Sequence, residues 1–210
     1  MPLGTAVKPV RAFTWSDAGT TDWDLVQQCT TGDEIACARL VTDYQRMVFQ
    51  LALHLLGDAQ EAMDLSQEVF LRVFRTLPQF RGQSSLRTWI YRIVLNQASN
   101  RQRWWRRRFR SHQVALDEHV ENHGELPESR SFAMPDRVLQ QNETAARVWA
   151  ALAELPFDQR AAIVLREIDG LSYEEIAESL CIAVGTVKSR LARARLNLRG
   201  ALRPEGRVTS

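Results

Sequence analysis

The sequence predicts an all-α protein made of two small helical domains joined by a flexible linker. Three observations carry that expectation. Proline and glycine are sparse, 7 and 10 among 210 residues. No alternating β pattern persists, whereas long segments repeat apolar residues at helical spacing. Between those segments, residues 111–134 change to His, Glu, Asn, Gly and Pro without an apolar stripe, the composition of a linker.

The elements follow in order. Residues 1–21 lack periodicity and read as a flexible N-terminal arm. The first helical domain spans 22–110 and holds four helices. The first covers Trp23–Thr30. The second, Glu34–Leu56, is closed by Gly57 in the usual position for a helix stop. The third, Ala59–Leu77, is ended by Pro78. The fourth starts near Ser84 or Ser85 and continues toward Arg108. A linker over 111–136 leads to the second domain, 137–202. There Ala151–Leu155 and Gln159–Arg166 supply two supporting helices separated by Pro156. Residues 203–210 form a tail.

Composition narrows the class. The hydrophobic fraction of 45% is ordinary for a globular protein. No apolar run approaches the roughly 20 residues of a membrane span, and Met1–Thr21 has no charged start followed by an apolar core. A cytoplasmic protein without membrane insertion is therefore expected. Cys29, Cys37 and Cys181 include no C-x-x-C pair and are odd in number, so reduced cysteines are expected rather than a disulfide framework or a zinc site. His112, His119 and His123 lack a cysteine partner or regular helical spacing, and neither a metal nor a cofactor is expected. The formal net charge of +2 hides an asymmetry: residues 101–110 hold six arginines and no acid, and 117–128 hold five acids and no Lys or Arg. Clustered positive charge points to a polyanionic partner.

The C-terminal domain carries the sharper motif. Ser172 with Glu175 forms an S-x-x-E capping box that starts a helix bearing Ile176, Ala177 and Leu180 on one face. A break follows at Cys181-Ile182-Ala183, and a second helix runs from Val184 to about Arg199. At 100° per residue, Val187, Leu191, Ala194 and Leu198 form one core-facing stripe. Ser189, Ala192 and Arg193 lie opposite, flanked by Thr186 and Lys188, with Arg190, Arg195 and Arg199 at the sides. A small, polar, cationic face of this kind suits the major groove, where Arg or Lys reads guanine edges. This is a DNA-binding helix-turn-helix.

The segment LPFDQRAAIVLREIDGLSYEEIAESL, followed by VGTVKSRLARAR, closely resembles the C-terminal domain of extracytoplasmic-function sigma factors of bacterial RNA polymerase. DLSQEVFLRVFRTL at 64–77 looks like that family's core-polymerase-binding helix, and FRGQSSLRTWIYRIVLNQASN at 80–100 resembles its −10 loop and helix. The resemblance implies that residues 22–110 are sigma region 2 and 137–202 are region 4. It implies −35 recognition by Thr186, Lys188, Ser189, Arg190, Ala192 and Arg193. It implies capture of a flipped −10 base by Asn96 and Asn100, on a polar stripe shared with Arg92, Ser99 and Arg103. Loop residue Phe80 is then expected against a melted base, with Trp89 in the core. Arg101–Arg110 suits phosphate contacts. Asp64, Gln67, Glu68, Leu71 and Arg72 share one face of the third helix, expected to dock on the polymerase's largest subunit. The implied partners are core RNA polymerase, duplex promoter DNA, the melted −10 strand and an anti-sigma factor. Ala183 stands where the family often has Ser or Pro, and Ala192 where some relatives carry an aromatic.

Two other classes compete. A helix-turn-helix regulator that does not bind core polymerase accounts for 137–200 but not for the motifs at 64–100. An enzyme acting on nucleic acid would need paired carboxylates in a pocket, a phosphate-cradling loop or a Cys/His triad, and the sequence shows none.

Overall fold

The computed structural model describes residues 18–116 and 139–203, where every regular element is helical. The arm before Ala18, most of the linker and the last seven residues lie outside the described residues, as do His119 and His123. In chain order the helices are α1 (Ala18–Thr30), α2 (Glu34–Leu56), α3 (Ala59–Thr76), α4 (Leu86–Leu116), α5 (Leu139–Glu154), α6 (Phe157–Ile163), α7 (Tyr173–Leu180) and α8 (Val184–Ala201). A single 3-10 turn, Leu77–Gln79, separates α3 from the loop before α4, and a π-helical turn, Val164–Ile168, extends α6.

Local chemistry sets the boundaries. Asp33 caps α2 by accepting from the Ile35 and Ala36 amides at 2.9 and 3.2 Å, and Gly57 ends it at φ +77°, in the left-handed region. Asp58 caps α3 through the Glu61 amide at 2.8 Å. Ser85 caps α4, its Oγ accepting from the Thr88 amide at 3.0 Å. Helix α1 begins at Ala18, five residues before the expected start, because Gly19, Thr20 and Thr21 carry no apolar signal. Helix α4 continues past Arg108 to Leu116, a run of 31 residues about 46 Å long.

The first unit packs α1, α3 and α4 around α2. Leu40, Val48, Leu51, Leu65, Val69, Ile90 and Val94 are fully buried in it. The second packs α5, α6, α7 and α8 around Ala161, Leu165, Ile176, Val187 and Leu191. The two units touch where α4 meets α7 and where the end of α2 meets α5, α6 and the π turn.

The cysteines depart from expectation. Cys29 and Cys37 form a disulfide with Cα atoms 5.0 Å apart, and Cys181 is an exposed free thiol. The pair sits in the last turn of α1 and the first turn of α2. Gly32, at φ +94°, turns the chain back so that these two turns face each other. Closure across a helical turn leaves no C-x-x-C spacing to read.

Candidate nucleic-acid and polymerase interfaces

The helix-turn-helix is built as its sequence prescribes. The Glu175 amide donates to Ser172 Oγ at 3.1 Å, and the Ser172 amide donates back to Glu175 Oε2 at 2.7 Å. Helix α7 ends at Cys181 with φ +54°, the only non-glycine residue at positive φ among the described residues. The Ile182 amide closes that turn on the Ala177 carbonyl at 2.9 Å. Helix α8 then starts at Val184, and the preceding Ala183, in the N-cap position, supplies no side-chain cap.

Helix α8 is seated by Val187, Leu191 and Ala194, each at most 1% exposed. Thr186, Lys188, Ser189, Ala192 and Arg193 are exposed on the opposite face. The Ser189 hydroxyl donates to the Thr186 carbonyl at 2.9 Å, which fixes its rotamer and leaves its lone pairs outward. The arginines divide into two sets. Arg190 pairs with Asp158 at 2.9 Å and Arg195 with Glu167 at 2.7 Å, so both hold α8 to α6 and the π turn. Asn197 donates to Gln159 at 2.9 Å in the same seam. Lys188 and Arg193 make no ion pair among the described residues. Arg190, expected as a reader, is held by Asp158 in this structure.

Helix α4 buries Leu86, Ile90, Tyr91, Val94, Leu95 and Ala98 and leaves Asn96 and Asn100 exposed. Arg103 donates to Asn100 Oδ1 at 2.9 Å, which leaves the Asn100 amide NH2 outward. Three of the residues expected at the DNA are packed or hydrogen-bonded within the chain. Phe80 is not a loop residue open to bases. It is 9% exposed, with ring centroids 6.1 Å from Trp23 and 5.4 Å from the half-buried Trp89. Trp23 also covers Gly82, where an added Cβ would lie 3.3 Å from the indole. Arg92 donates to the Glu178 carbonyl of α7 at 3.2 Å instead of facing outward. Arg101, at the head of the basic tract, is engaged within the chain. It donates to the Glu61 carbonyl and Oε2 at 2.9 Å and to Glu68 Oε1 at 2.8 Å, joining α3 to α4.

On α3, Asp64, Gln67, Leu71 and Arg72 are exposed, with Leu71 67% open and Met63 49%. Glu68 shares the face but is tied to Arg101. Beside it, α2 and α3 enclose an apolar trough of about 500 Å³ lined by Val41, Phe49, Met63 and Phe70. The trough escaped the sequence reading, although Val41, Gln45 and Phe49 recur every fourth residue.

Comparison with known proteins converges on one family. Residues 40–110 match the family model for sigma-70 region 2, and residues 145–198 match that for sigma-70 region 4. The chain is 40% identical over 185 residues to the RNA polymerase sigma-H factor of Pseudomonas aeruginosa, covering 87% of this chain and 94% of that protein. The chain belongs to the ECF sigma-factor family. It is 39% identical to the ECF RNA polymerase sigma-E factor of Escherichia coli K12, over 88% of this chain and 95% of that one. Among solved structures, the sigma factor RpoE bound to the anti-sigma factor NepR from Bartonella quintana aligns with a TM-score of 0.57 at 27% identity, covering 80% of this chain and 97% of that one. CnrH in complex with the cytosolic domain of CnrY aligns at 0.62 and 25%, covering 86% and 96%. The ECF sigma factor is thus an alternative sigma factor, and its all-helical two-unit fold is that of its relatives. No helix among the described residues is long and apolar enough to cross a membrane.

Proposed function

We propose a division of labour within this sigma factor. Residues 22–110 act as region 2, docking core RNA polymerase through the outer face of α3, with Asp64, Gln67, Leu71 and Arg72, and through the trough shared with α2. Asn96 and Asn100 of α4 hold a base extruded from the −10 element, since amide groups match the Watson–Crick edge of a flipped base. Residues 111–136 link this unit to region 4, residues 137–202. There Lys188, Ser189 and Arg193 read −35 base edges in the major groove while Thr186 and Ala192 allow close approach. Polymerase performs the chemistry, in the cytoplasm, and an anti-sigma factor holds the chain when it is idle.

One observation carries the reading: a fully seated α8 with five small, polar or cationic side chains outward, in the same chain as an exposed apolar-and-acidic α3 face. Run-off transcription with core polymerase on a promoter library tests it. Promoter-specific initiation requiring two elements is the expected result. DNA binding with no association with core polymerase would make the chain a conventional repressor or activator.

A further inference from the structure

Helix α1 is fastened near both ends and weakly between them. At its C-terminal end Cys29 is bonded to Cys37 in the first turn of α2. Toward its N-terminal end the Tyr44 hydroxyl donates to Asp22 Oδ1 at 3.4 Å. Among the described side chains of α1, Leu25, Val26 and Cys29 are the buried ones, whereas α2 buries six residues and α3 four. A helix of 13 residues is marginal in water on its own. Few contacts besides the covalent bond therefore keep α1 down. When that bond opens, α1 is the element that loosens, and the core shared by α2, α3 and α4 remains.

Trp23 is where such loosening is felt. Its ring centroid lies 6.1 Å from that of Phe80, which lies 5.4 Å from that of Trp89 on α4. Its indole also covers Gly82, at φ +66°, where an added Cβ would come within 3.3 Å of the ring. Ser85, at the far end of the same segment, caps α4. Trp23 thus clamps residues 80–82 between α1 and the start of α4. Six residues of helix, about 9 Å, separate Trp23 from Cys29. A seated helix transmits the constraint over that distance, and a frayed one does not.

The two cysteines are placed to open and reclose. The Gly32 turn sets their Cα atoms 5.0 Å apart, inside the range a disulfide spans without backbone movement. Cys29 is buried and Cys37 is partly exposed, so a reductant reaches Cys37 first. One thiolate of a small dithiol bonds to Cys37 Sγ and expels Cys29 as a thiolate, which takes up a proton. The second thiolate of the dithiol closes on the mixed disulfide and releases Cys37, which takes up another. The protein gains two electrons and two protons, and the dithiol becomes its own disulfide. In the other direction Cys37 attacks hydrogen peroxide, forming a sulfenic acid and water, and Cys29 then displaces the second oxygen as water. Two thiols and one peroxide give one disulfide and two waters. In a reducing compartment such bonds are usually transient, catalytic or sensing rather than permanent.

We infer that Cys29–Cys37 is a reversible redox modification site for small dithiols and peroxides, and that its closed state clamps residues 80–85 through α1 and Trp23. Trp23 is a positioning residue in this scheme. Residues 80–85 lead into the helix proposed above to hold the −10 base, so the oxidised chain is the better initiator. The modification and the clamp stand without that reading of region 2, and the effect on initiation rests on it.

The test uses the full chain with Cys181→Ser as parent, which leaves one cysteine pair. Alkylation and intact mass should show two labelled thiols after dithiothreitol, and none when the reductant is replaced by hydrogen peroxide before labelling. A folded chain that resists dithiothreitol, or does not reclose with peroxide, overturns the modification site. Hydrogen exchange reads the clamp. Reduction should speed exchange about tenfold or more in α1 and in residues 80–85, while residues 48–55 of α2 stay protected. Cys29→Ser combined with Cys37→Ser should reproduce the reduced pattern. Trp23→Ala should speed exchange at 80–85 in the oxidised chain, and Trp23→Phe should restore most of the protection. Faster exchange in α1 with none at 80–85 overturns the coupling through Trp23. In run-off transcription with core polymerase, the reduced parent should initiate at least about threefold less than the oxidised parent, because a clamped segment need not be ordered on binding. Peroxide should restore the reduced parent and leave the double Ser variant unchanged. Equal initiation by both parent forms overturns the effect on initiation. Absence of initiation from either form strikes the region 2 reading instead, and the thiol and exchange results then decide the modification site and the clamp.

Discussion

Leu71 offers the most direct test of polymerase docking. It lies on the outer face of α3 with 67% of its surface exposed, so about two-thirds of its apolar area is available to a partner. Full burial of a leucine side chain is worth about 1.5–3 kcal/mol, and two-thirds of that is about 1–2 kcal/mol. At 1.4 kcal/mol per tenfold, Leu71→Ala should weaken core-polymerase binding about 5- to 30-fold. The fold should survive, because alanine is the better helix former and surface substitutions fall within about 0.5 kcal/mol. Leu65→Ala on the buried face of the same helix is the contrast. Leu65 is 0% exposed, and its loss should cost about 2–5 kcal/mol of stability. Fluorescence anisotropy of labelled chain titrated with core polymerase, with thermal melting beside it, gives both readouts. If Leu71→Ala melts like the parent and binds core polymerase within twofold of it, the outer face of α3 is not the docking surface.

Four further outcomes follow from the geometry. Ser172→Ala removes the reciprocal cap of α7 and should cost about 1 kcal/mol, a fall in the melting temperature of about 4–8 °C for region 4, measured by calorimetry. Arg193→Ala should cost about 1–3 kcal/mol of −35 duplex affinity, whereas Arg190→Ala, which loses only the half-exposed pair with Asp158, should change it less than threefold in a mobility-shift titration. Thiol reduction should open the Cys29–Cys37 bond, raise the intact mass by two hydrogens and lower the melting temperature by a few degrees, since so short a loop stabilises by at most about 2.5 kcal/mol in the chain-entropy account. Burial pushes the Asp169 carboxyl up to about 6, with Arg87 pulling the other way. A carboxyl with a raised folded pKa contributes stability that is complete below its ordinary range and lost as pH rises through 6, so Asp169→Asn should raise the melting temperature at pH 8 and not at pH 4.

Much of the fold was legible because local signals and burial agreed. Gly57, Pro156 and the Ser172–Glu175 box each mark a boundary whose chemistry is complete within a few residues. The 3.6-residue stripe of Val187, Leu191 and Ala194 identified both the seat and the outward face of α8. The misreadings share one cause, a partner far along the chain. Phe80 looks like an exposed loop aromatic until Trp23, 57 positions earlier, is folded onto it. Arg101 looks like one more member of a basic tract until Glu61 and Glu68 meet it from α3. The cap that Arg160 places on the Leu55 carbonyl is invisible for the same reason, whereas the Cys29–Cys37 bond is local and hidden by the Gly32 turn that brings two helix ends together.

These long-range pairings refine what the basic composition means. Clustered arginine suggests nucleic-acid binding, yet Arg92, Arg101, Arg160, Arg190 and Arg195 are all engaged by carbonyls or carboxylates within the chain. A guanidinium held in a bidentate or capping site gives rigidity and carries little charge outward. What remains outward and unpaired on α8 is sparse: Lys188 and Arg193, set around Ser189 and Ala192, and Arg199 in the last turn. A sparse face is the better reader. Each cation there can meet one base edge or one phosphate, whereas a crowded cationic face would bind any duplex through phosphates alone. On this argument promoter choice in this chain depends on where arginines are neutralised as much as on where they are exposed. Asp158 and Glu167, which never touch DNA in the arrangement proposed, would then set specificity by keeping Arg190 and Arg195 out of the groove.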